Sequence, residues 1–317
     1  MGRVGRRDSL AGLAAAFEGG ARYFDVARSY GYGGAERVVG EFLRGRRDEC
    51  VVVSKAGIVP AMPGVLNRIV FPVARRVAAL VPGIQKLSAR RGGALSAVSK
   101  GNFAPEAIIG SLETSLRELS IERVDFLLLH EVAAPDLAHD GLHRCLEDIV
   151  RGGKARAIGI ATNIDDTRAI LAAADDREPA IELVQIRNNL AKPDRERLEA
   201  SVAGDPSRWS RRFVTTHSSL AIGEGARSHF LDWLARHPDR VEPLRDAGLV
   251  PSGPARDWPR ILLGYAMAAN PDGVTLCGML DRAHVAGNLD VARVVDACAS
   301  ELLALGEDWR AVHQSSP

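Results

Sequence analysis

Short apolar runs alternate with amphipathic helical segments along almost the whole chain. The clearest run, residues 124–129, is nearly all apolar and stops at His130, which is typical of a parallel strand buried on both faces. No stretch rich in Pro, Gly or Ser divides the chain into halves, so the alternation predicts a single parallel α/β domain over residues 1–317. The predicted strands are residues 22–25, 51–54, 124–129, 157–160, 183–186, 213–216 and 273–276, and a last helix is predicted over about residues 289–305.

Parallel strands that alternate with helices form one of two architectures: a doubly wound open sheet or a (β/α)8 barrel. A doubly wound sheet that binds a dinucleotide would carry Gly-x-Gly-x-x-Gly after its first strand, and the chain has no such motif there. Polar residues follow several different strands instead, which favours a (β/α)8 barrel. The chain opens with a predicted helix over residues 8–20, and residues 1–7 are short and polar for a strand. We therefore expect a barrel that lacks most of its first strand: either the chain starts upstream or the barrel closes imperfectly.

The composition limits the class of partner. Forty-one basic and 40 acidic side chains give a formal charge of +1, so no global field attracts nucleic acid. No apolar run reaches the length of a membrane span, and the polar N-terminal residues lack the apolar segment of a signal peptide. We expect a cytoplasmic protein without a membrane or nucleic-acid partner, and the oligomeric state stays open. Reduced, mostly buried thiols are expected at the four scattered cysteines, Cys50, Cys145, Cys277 and Cys298.

A long insertion is predicted at residues 56–104. It holds seven basic residues and no acidic residue, and loops of this length inside a compact domain are usually functional or disordered. Two interpretations remain open: a solvated basic surface, or a lid whose arginines attract cofactor phosphates or an anionic substrate. The basic residues are Arg68, Arg75, Arg76, Lys86, Arg90, Arg91 and Lys100.

Four residues near strand ends suggest chemistry: Asp25, Tyr30, Lys55 and His130. Each has an ordinary interpretation by itself, as a turn cap, a loop aromatic, a surface cation or a histidine at a strand end. In a barrel, however, the carboxyl ends of the strands share one rim, so these side chains would meet. The set suits carbonyl reduction, because hydride addition leaves negative charge on an oxygen that then needs a proton. A tyrosine hydroxyl can supply it if a nearby cation stabilises the phenolate.

The same residues carry a resemblance to a known family. Residues 23–31 read Tyr-Phe-Asp-Val-Ala-Arg-Ser-Tyr-Gly, which resembles the aldo-keto reductase signature. The resemblance implies a catalytic tetrad, with Tyr30 as acid and base, Lys55 and Asp25 as its tuning pair, and His130 as the residue that orients the substrate. Relatives also carry a glycine-rich first strand after a small hairpin, and this chain departs from the family there.

Three further segments resemble the family's cofactor site. Residues 153–163 and the next strand imply that Thr162, Asn163 and Gln185 hold the nicotinamide carboxamide; a capped helix start at Thr162-Asn163 is the alternative. In residues 214–220, His217, followed by Ser218, occupies the place of the aromatic residue under the nicotinamide. Residues 277–288 resemble the adenosine-phosphate segment, with candidate contacts at Gly278, Arg282, His284 and Asn288.

The resemblance implies an NAD(P)-dependent oxidoreductase that transfers hydride between the nicotinamide cofactor and a carbonyl or alcohol substrate. NADP is expected by family habit, with NAD as the alternative, and no metal is expected. The expected partner is a small carbonyl compound: an aldehyde, a ketone or a sugar. A catalytically weak nucleotide-binding barrel is the first rival. A metal-dependent barrel hydrolase is the second and would need clustered His and Asp ligands on several strands.

Overall fold

The computed structural model describes residues 5–58, 101–138, 140–173, 180–202, 212–223, 226–279 and 282–313. The predicted insertion therefore lies largely outside the described residues, together with its seven basic side chains. Of the residues that precede the first helix, only Gly5 is described, so the prediction of a missing first strand stays a prediction.

Seven strands are present in the described ranges, and each overlaps a predicted one. They are β1 (Tyr23–Asp25), β2 (Val51–Ala56), β3 (Val124–His130), β4 (Ala155–Ala161), β5 (Ile181–Arg187), β6 (Phe213–His217) and β7 (Val274–Thr275). The helices of the described residues are α1 (Arg6–Glu18), α2 (Ala35–Leu43), α3 (Pro105–Leu119), α4 (Ala134–Leu137), α5 (Asp140–Arg151), α6 (Ile164–Ala173), α7 (Asp194–Val202), α8 (Ala226–Arg236), α9 (Pro238–Asp246), α10 (Pro254–Ala268), α11 (Arg282–Val294) and α12 (Ala299–His313).

The chain divides into two compact units, and the first consists of residues 1–17, 21–162 and 173–181. Its strands β1 to β4 pair in parallel and in chain order. The register sets Asp25 beside Val53, two residues before Lys55, and sets His130 beside Ala161. Because parallel strands present their carboxyl ends at one edge, this register brings the polar ends of β1, β2 and β3 together.

The second unit consists of residues 18–20, 163–172 and 182–317. Its strands β5, β6 and β7 are also parallel, with Gln185 beside Thr215 and Arg187 beside His217. Large side chains from its helices form the core, among them Phe230, Trp233, Leu262, Tyr265, Leu302 and Trp309.

The sequence prediction was wrong in one detail at the C-terminal end of the second unit. A single helix was expected over residues 289–305, but α11 and α12 are separated by a 3-10 turn, Val295–Cys298. Both Val295 and Cys298 are buried. The apolar pattern therefore continues through the break, and hydrophobic periodicity does not reveal it.

Helices α8, α9 and α10 lie where the sequence predicted no element. In the parts of the chain that the structure describes, no helix is long and apolar enough to cross a membrane.

Candidate active site

The centre of the site is a buried ion pair at the ends of β1 and β2. The Lys55 ammonium group donates to a carboxylate oxygen of Asp25, and it lies 3.4 Å from the carbonyl oxygen of Val26. The Lys55 side chain has no exposed surface and that of Asp25 is 9% exposed. A buried ammonium group is costly without a partner, so Asp25 compensates the charge that β2 places inside the unit.

Tyr30 lies next to this pair on a tight turn. The 3-10 turn Tyr30–Gly33 follows β1 and passes through left-handed backbone at Gly31 and Gly33 (φ 59° and 82°), a conformation that suits glycine. The Nζ atom of Lys55 lies 4.9 Å from the centroid of the Tyr30 ring. Tyr30 is 40% exposed. The turn therefore presents a phenol at the surface, with a buried cation beside its ring.

His130 completes the group from the end of β3. Its ring centroid lies 6.5 Å from that of Tyr30, and the two ring planes are nearly perpendicular at 86°. The next residue, Glu131, has a left-handed backbone (φ 60°), and its amide donates to the carbonyl of Ala161 at 2.8 Å. The structure thus brings together all four residues that the sequence singled out, although their chemical roles stay predictions.

Sequence reasoning missed a second polar group in the same unit. The Ser54 hydroxyl donates to Glu36 at 2.8 Å and lies 3.3 Å from the hydroxyl of Ser115, and all three side chains are buried. Burial raises the pKa of Glu36, while hydrogen bonds from Ser115 and Ser54 and the charge of Arg28 act in the opposite direction. The available signal was an acidic residue among apolar positions in the first turn of α2.

Thr162 and Asn163, at the end of β4, differ in what their side chains do. Thr162 is 6% exposed, and its hydroxyl oxygen has no hydrogen-bond partner among the described residues. The side-chain oxygen of Asn163 accepts from the amides of Asp165 and Asp166 at 3.0 and 2.9 Å, and its amide nitrogen donates to Asp166 at 2.5 Å. Asn163 therefore caps the start of α6, whereas Thr162 has an unused polar group, and the cofactor contacts of both residues stay predictions.

The remaining candidates lie in the second unit. Gln185 is buried within β5, and His217 ends β6 with its Nδ1 atom 2.8 Å from the Ser218 hydroxyl. Ser218 has a left-handed backbone (φ 61°). Three candidates belong to the α11 helix, and a fourth precedes it: exposed Arg282 and His284 in the first turn, half-buried Asn288, and exposed Gly278 before the helix.

Comparison with known proteins identifies the family. The model of the Aldo/keto reductase family matches residues 1–202, more than half of the chain. The chain belongs to the aldo/keto reductase family. The match includes Asp25, Tyr30, Lys55 and His130, and it continues through Thr162 and Gln185.

Curated relatives match the chain over part of its length. A D-threo-aldose 1-dehydrogenase from Pseudomonas sp is 31% identical over 192 residues, covering 56% of this chain and 50% of the relative. A pyridoxal 4-dehydrogenase from Microbacterium luteolum is 24% identical over 171 residues, covering 50% of this chain and 47% of the relative. The chain thus spans about half the length of these relatives.

Solved aldo-keto reductases share the fold. The enzyme from Klebsiella pneumoniae, solved in complex with NADPH, has a TM-score of 0.62 and 21% identity, covering 96% of this chain and 86% of that chain. Such a likeness concerns the fold, which is the (β/α)8 barrel of aldo-keto reductases. The predicted fold class is therefore confirmed, with seven of its strands in the described residues.

Proposed function

We propose that this protein is an NAD(P)-dependent oxidoreductase that transfers hydride between a nicotinamide cofactor and a carbonyl or alcohol substrate. The observation that carries the proposal is the buried Lys55 ammonium group, which is paired with Asp25 and lies 4.9 Å from the Tyr30 ring. Family membership supports the same reaction class. A catalytically weak nucleotide-binding barrel would have no need to bury a cation beside an exposed phenol.

Tyr30 gives the proton to the substrate oxygen during reduction and takes it back during oxidation. Lys55 stabilises the phenolate that remains after the transfer, because an opposite charge nearby favours the ionised form. Asp25 keeps Lys55 charged and oriented. His130, whose ring approaches that of Tyr30 edge-on, is placed to hydrogen-bond the same oxygen and to orient the substrate.

The residues of this chain fit a nicotinamide dinucleotide. Thr162 offers a buried hydroxyl with no partner in the described part of the chain, and a hydroxyl can both donate to and accept from a carboxamide. From the family resemblance, we also propose Gln185 as a carboxamide contact and the His217 ring, beside Ser218, as the group that stacks on the nicotinamide. When bound, the cofactor supplies or accepts the hydride. Asn163 caps α6 with its side chain, and we propose that it also contributes to the carboxamide site beside Thr162.

We propose that the phosphate end of the cofactor binds at the start of α11. Arg282 and His284 lie in the exposed first turn of this helix, and a helix N-terminus attracts anions. Gly278 would allow close approach of the cofactor before the helix, and Asn288 would contact the adenosine. NADP is the proposed cofactor by family habit, with NAD as the alternative, and Arg282 is available for its additional phosphate. The structural neighbour from Klebsiella pneumoniae binds NADPH, which supports this choice.

The substrate proposed is a small aldehyde, ketone or sugar. The names of the relatives indicate action on an aldose in one case and on pyridoxal in another. A substrate panel should therefore contain aldoses, aromatic aldehydes and small ketones, each assayed in both directions with NADPH or NADP. A cytoplasmic location and a single barrel domain over residues 1–317 stay predictions of the sequence.

Tyr30→Phe tests the proposal, because it keeps the ring and removes the hydroxyl. Turnover should fall by roughly 100-fold or more, since general acid catalysis contributes about that much, while NADPH affinity, measured by fluorescence titration, stays unchanged. Tyr23→Phe, at the opposite end of β1, is the matched control and should stay within a few-fold of wild type. Turnover of Tyr30→Phe close to wild type would remove the assignment.

A further inference from the structure

The buried polar group behind β2 contains three side chains from three different elements. Glu36 comes from α2, Ser54 from β2 and Ser115 from α3, and the Ser54 hydroxyl connects the other two at 2.8 Å and 3.3 Å. Successive residues of a strand point to opposite faces. Ser54 therefore faces α2 and α3, while its neighbour Lys55 points to the opposite side of the strand, where Asp25 and Tyr30 lie.

A buried carboxylate is an expensive way to fill this space. Glu36 is 3% exposed, and burial raises its pKa more than its hydrogen bonds and the charge of Arg28 lower it. An apolar side chain of similar size would pack between the helices without this cost, since buried ionic groups contribute little net stability. The hydrogen-bonded carboxylate does provide one thing that an apolar side chain lacks, which is a fixed direction.

The polar group is connected to the tetrad through short segments of backbone. The turn that carries Tyr30 leads directly into α2: the Gly34 amide donates to Gly31 at 3.2 Å, and the Val38 amide donates to Gly34 at 3.4 Å. Glu36 lies in the first turn of that helix. Arg28, two residues before Tyr30, lies 3.5 Å from the Ser111 hydroxyl on α3.

We propose that Glu36 is a positioning residue that sets the separation between Tyr30 and Lys55. Through Ser54 it holds the start of α2, and with it the Tyr30 turn, against the strand that carries Lys55; through Ser115 it fixes both to α3. This inference rests on the proposed function for its catalytic meaning. Its structural content concerns only the geometry of the tyrosine and the lysine.

The proposed role matters because phenolate stabilisation depends on distance. The interaction between two charges weakens as they separate, so a looser turn that lets Tyr30 move away from Lys55 weakens the stabilisation of the phenolate formed during proton transfer and lowers kcat. Loss of the negative charge of Glu36, acting through space alone, would favour that phenolate and would leave kcat unchanged or higher. The two explanations therefore predict different changes in kcat.

Three variants separate these explanations. Ser54→Ala removes the connecting hydroxyl without changing charge, and Glu36→Gln removes the charge at nearly constant shape. Glu41→Gln is the matched control on the same helix, because Glu41 pairs at the surface with Arg6 at 2.6 Å. The surroundings of Tyr30 are followed at constant pH by NMR of protein labelled with ¹³C at the tyrosine Cζ, and Tyr30→Phe assigns the signal among the four tyrosines.

At constant pH, we expect the Tyr30 Cζ signal to shift in Ser54→Ala and Glu36→Gln and to stay unchanged in Glu41→Gln. In Ser54→Ala and Glu36→Gln, kcat should fall by about 10-fold, with NADPH affinity within about two-fold of wild type. A folded Ser54→Ala with an unchanged Tyr30 signal, or a Glu36→Gln whose kcat equals or exceeds that of wild type, would overturn the proposal. If Glu36→Gln fails to fold, Ser54→Ala decides alone. Absence of carbonyl turnover in the wild type would contradict the proposed function, while the NMR result would still decide the positioning role.

Discussion

At the scale of single residues, two neighbours at the end of β4 show how differently adjacent polar groups can be used. The side chain of Asn163 accepts hydrogen bonds from the first amides of α6, which is a common way to stabilise a helix start. Thr162 is buried, and its hydroxyl has no partner among the described residues. An unsatisfied buried hydroxyl costs about 1–3 kcal/mol. A polar ligand that hydrogen-bonds to the Thr162 hydroxyl would remove this cost.

Thr162→Val tests that interpretation. The substitution is nearly isosteric and removes only the unpartnered hydroxyl, so the protein without cofactor should be as stable as wild type or more stable. The Kd for NADPH should rise by roughly 5-fold or more, because one hydrogen bond contributes about 1 kcal/mol.

Thr167→Val is the matched control, since Thr167 is also buried with no partner for its hydroxyl in the described part of the chain. Fluorescence titration should show no change in the Kd of this variant. Equal Kd values for Thr162→Val and wild type would argue against a cofactor contact at Thr162.

At the scale of elements, the packing of α2 on α3 depends on a close approach of backbone to backbone. A Cβ atom added at Gly40 would lie 2.6 Å from the carbonyl carbon of Leu119 and 2.7 Å from its Cα. Real Cβ atoms do not approach backbone so closely, so α2 would have to move away from α3. The same interface contains Glu36 and Ser115, whose contacts depend on this separation.

Gly40→Ala is therefore expected to lower the free energy of unfolding by about 1–3 kcal/mol, the usual cost of overpacking. Gly110→Ala, in the middle of α3, is the matched control, because nothing lies within 4 Å of the added Cβ. It should raise the free energy of unfolding by up to about 1 kcal/mol through helix propensity. Chemical denaturation measures both, and equal changes in the two variants would show that the close approach is not limiting.

At the scale of the whole molecule, folding suppresses the ionisation of the thiols. Burial raises the pKa of Cys50, Cys145 and Cys298 above the ordinary value, and it raises the pKa of Cys277 from 9.0 to about 11. The unfolded chain therefore releases thiol protons at a lower pH than the folded chain. The resulting stability is fully present below about pH 9 and is lost as the pH rises through the folded values.

Cys277→Ser should reduce this alkaline loss. Between pH 9 and pH 10.5, the free energy of unfolding of the wild type should fall more steeply than that of the variant. The difference should reach roughly 1–2 kcal/mol, since one pKa unit corresponds to about 1.4 kcal/mol. Urea denaturation with a reducing agent at each pH measures it. Parallel pH dependences would show that Cys277 ionises equally in both states.

Local sequence was sufficient for the strands and for the tetrad. An apolar run that ends in a polar residue identifies both a buried parallel strand and its chemically useful end, so the pattern alone places Asp25, Lys55 and His130 at strand ends. Tyr30 followed from the glycine-rich turn after β1. The family resemblance supplied their roles, which remain proposals.

Tertiary structure alone decided the features that depend on distant partners. Ser54 meets Glu36 across 18 residues of sequence and Ser115 across 61, and no periodicity in the chain marks either contact. The sequence did not determine which of Thr162 and Asn163 caps the helix, because both residue types can cap a helix or bind an amide. The break between α11 and α12 was hidden by an apolar pattern that continues through it. Periodicity reports which face of an element is buried, whereas hydrogen-bond partners are fixed only when the elements pack.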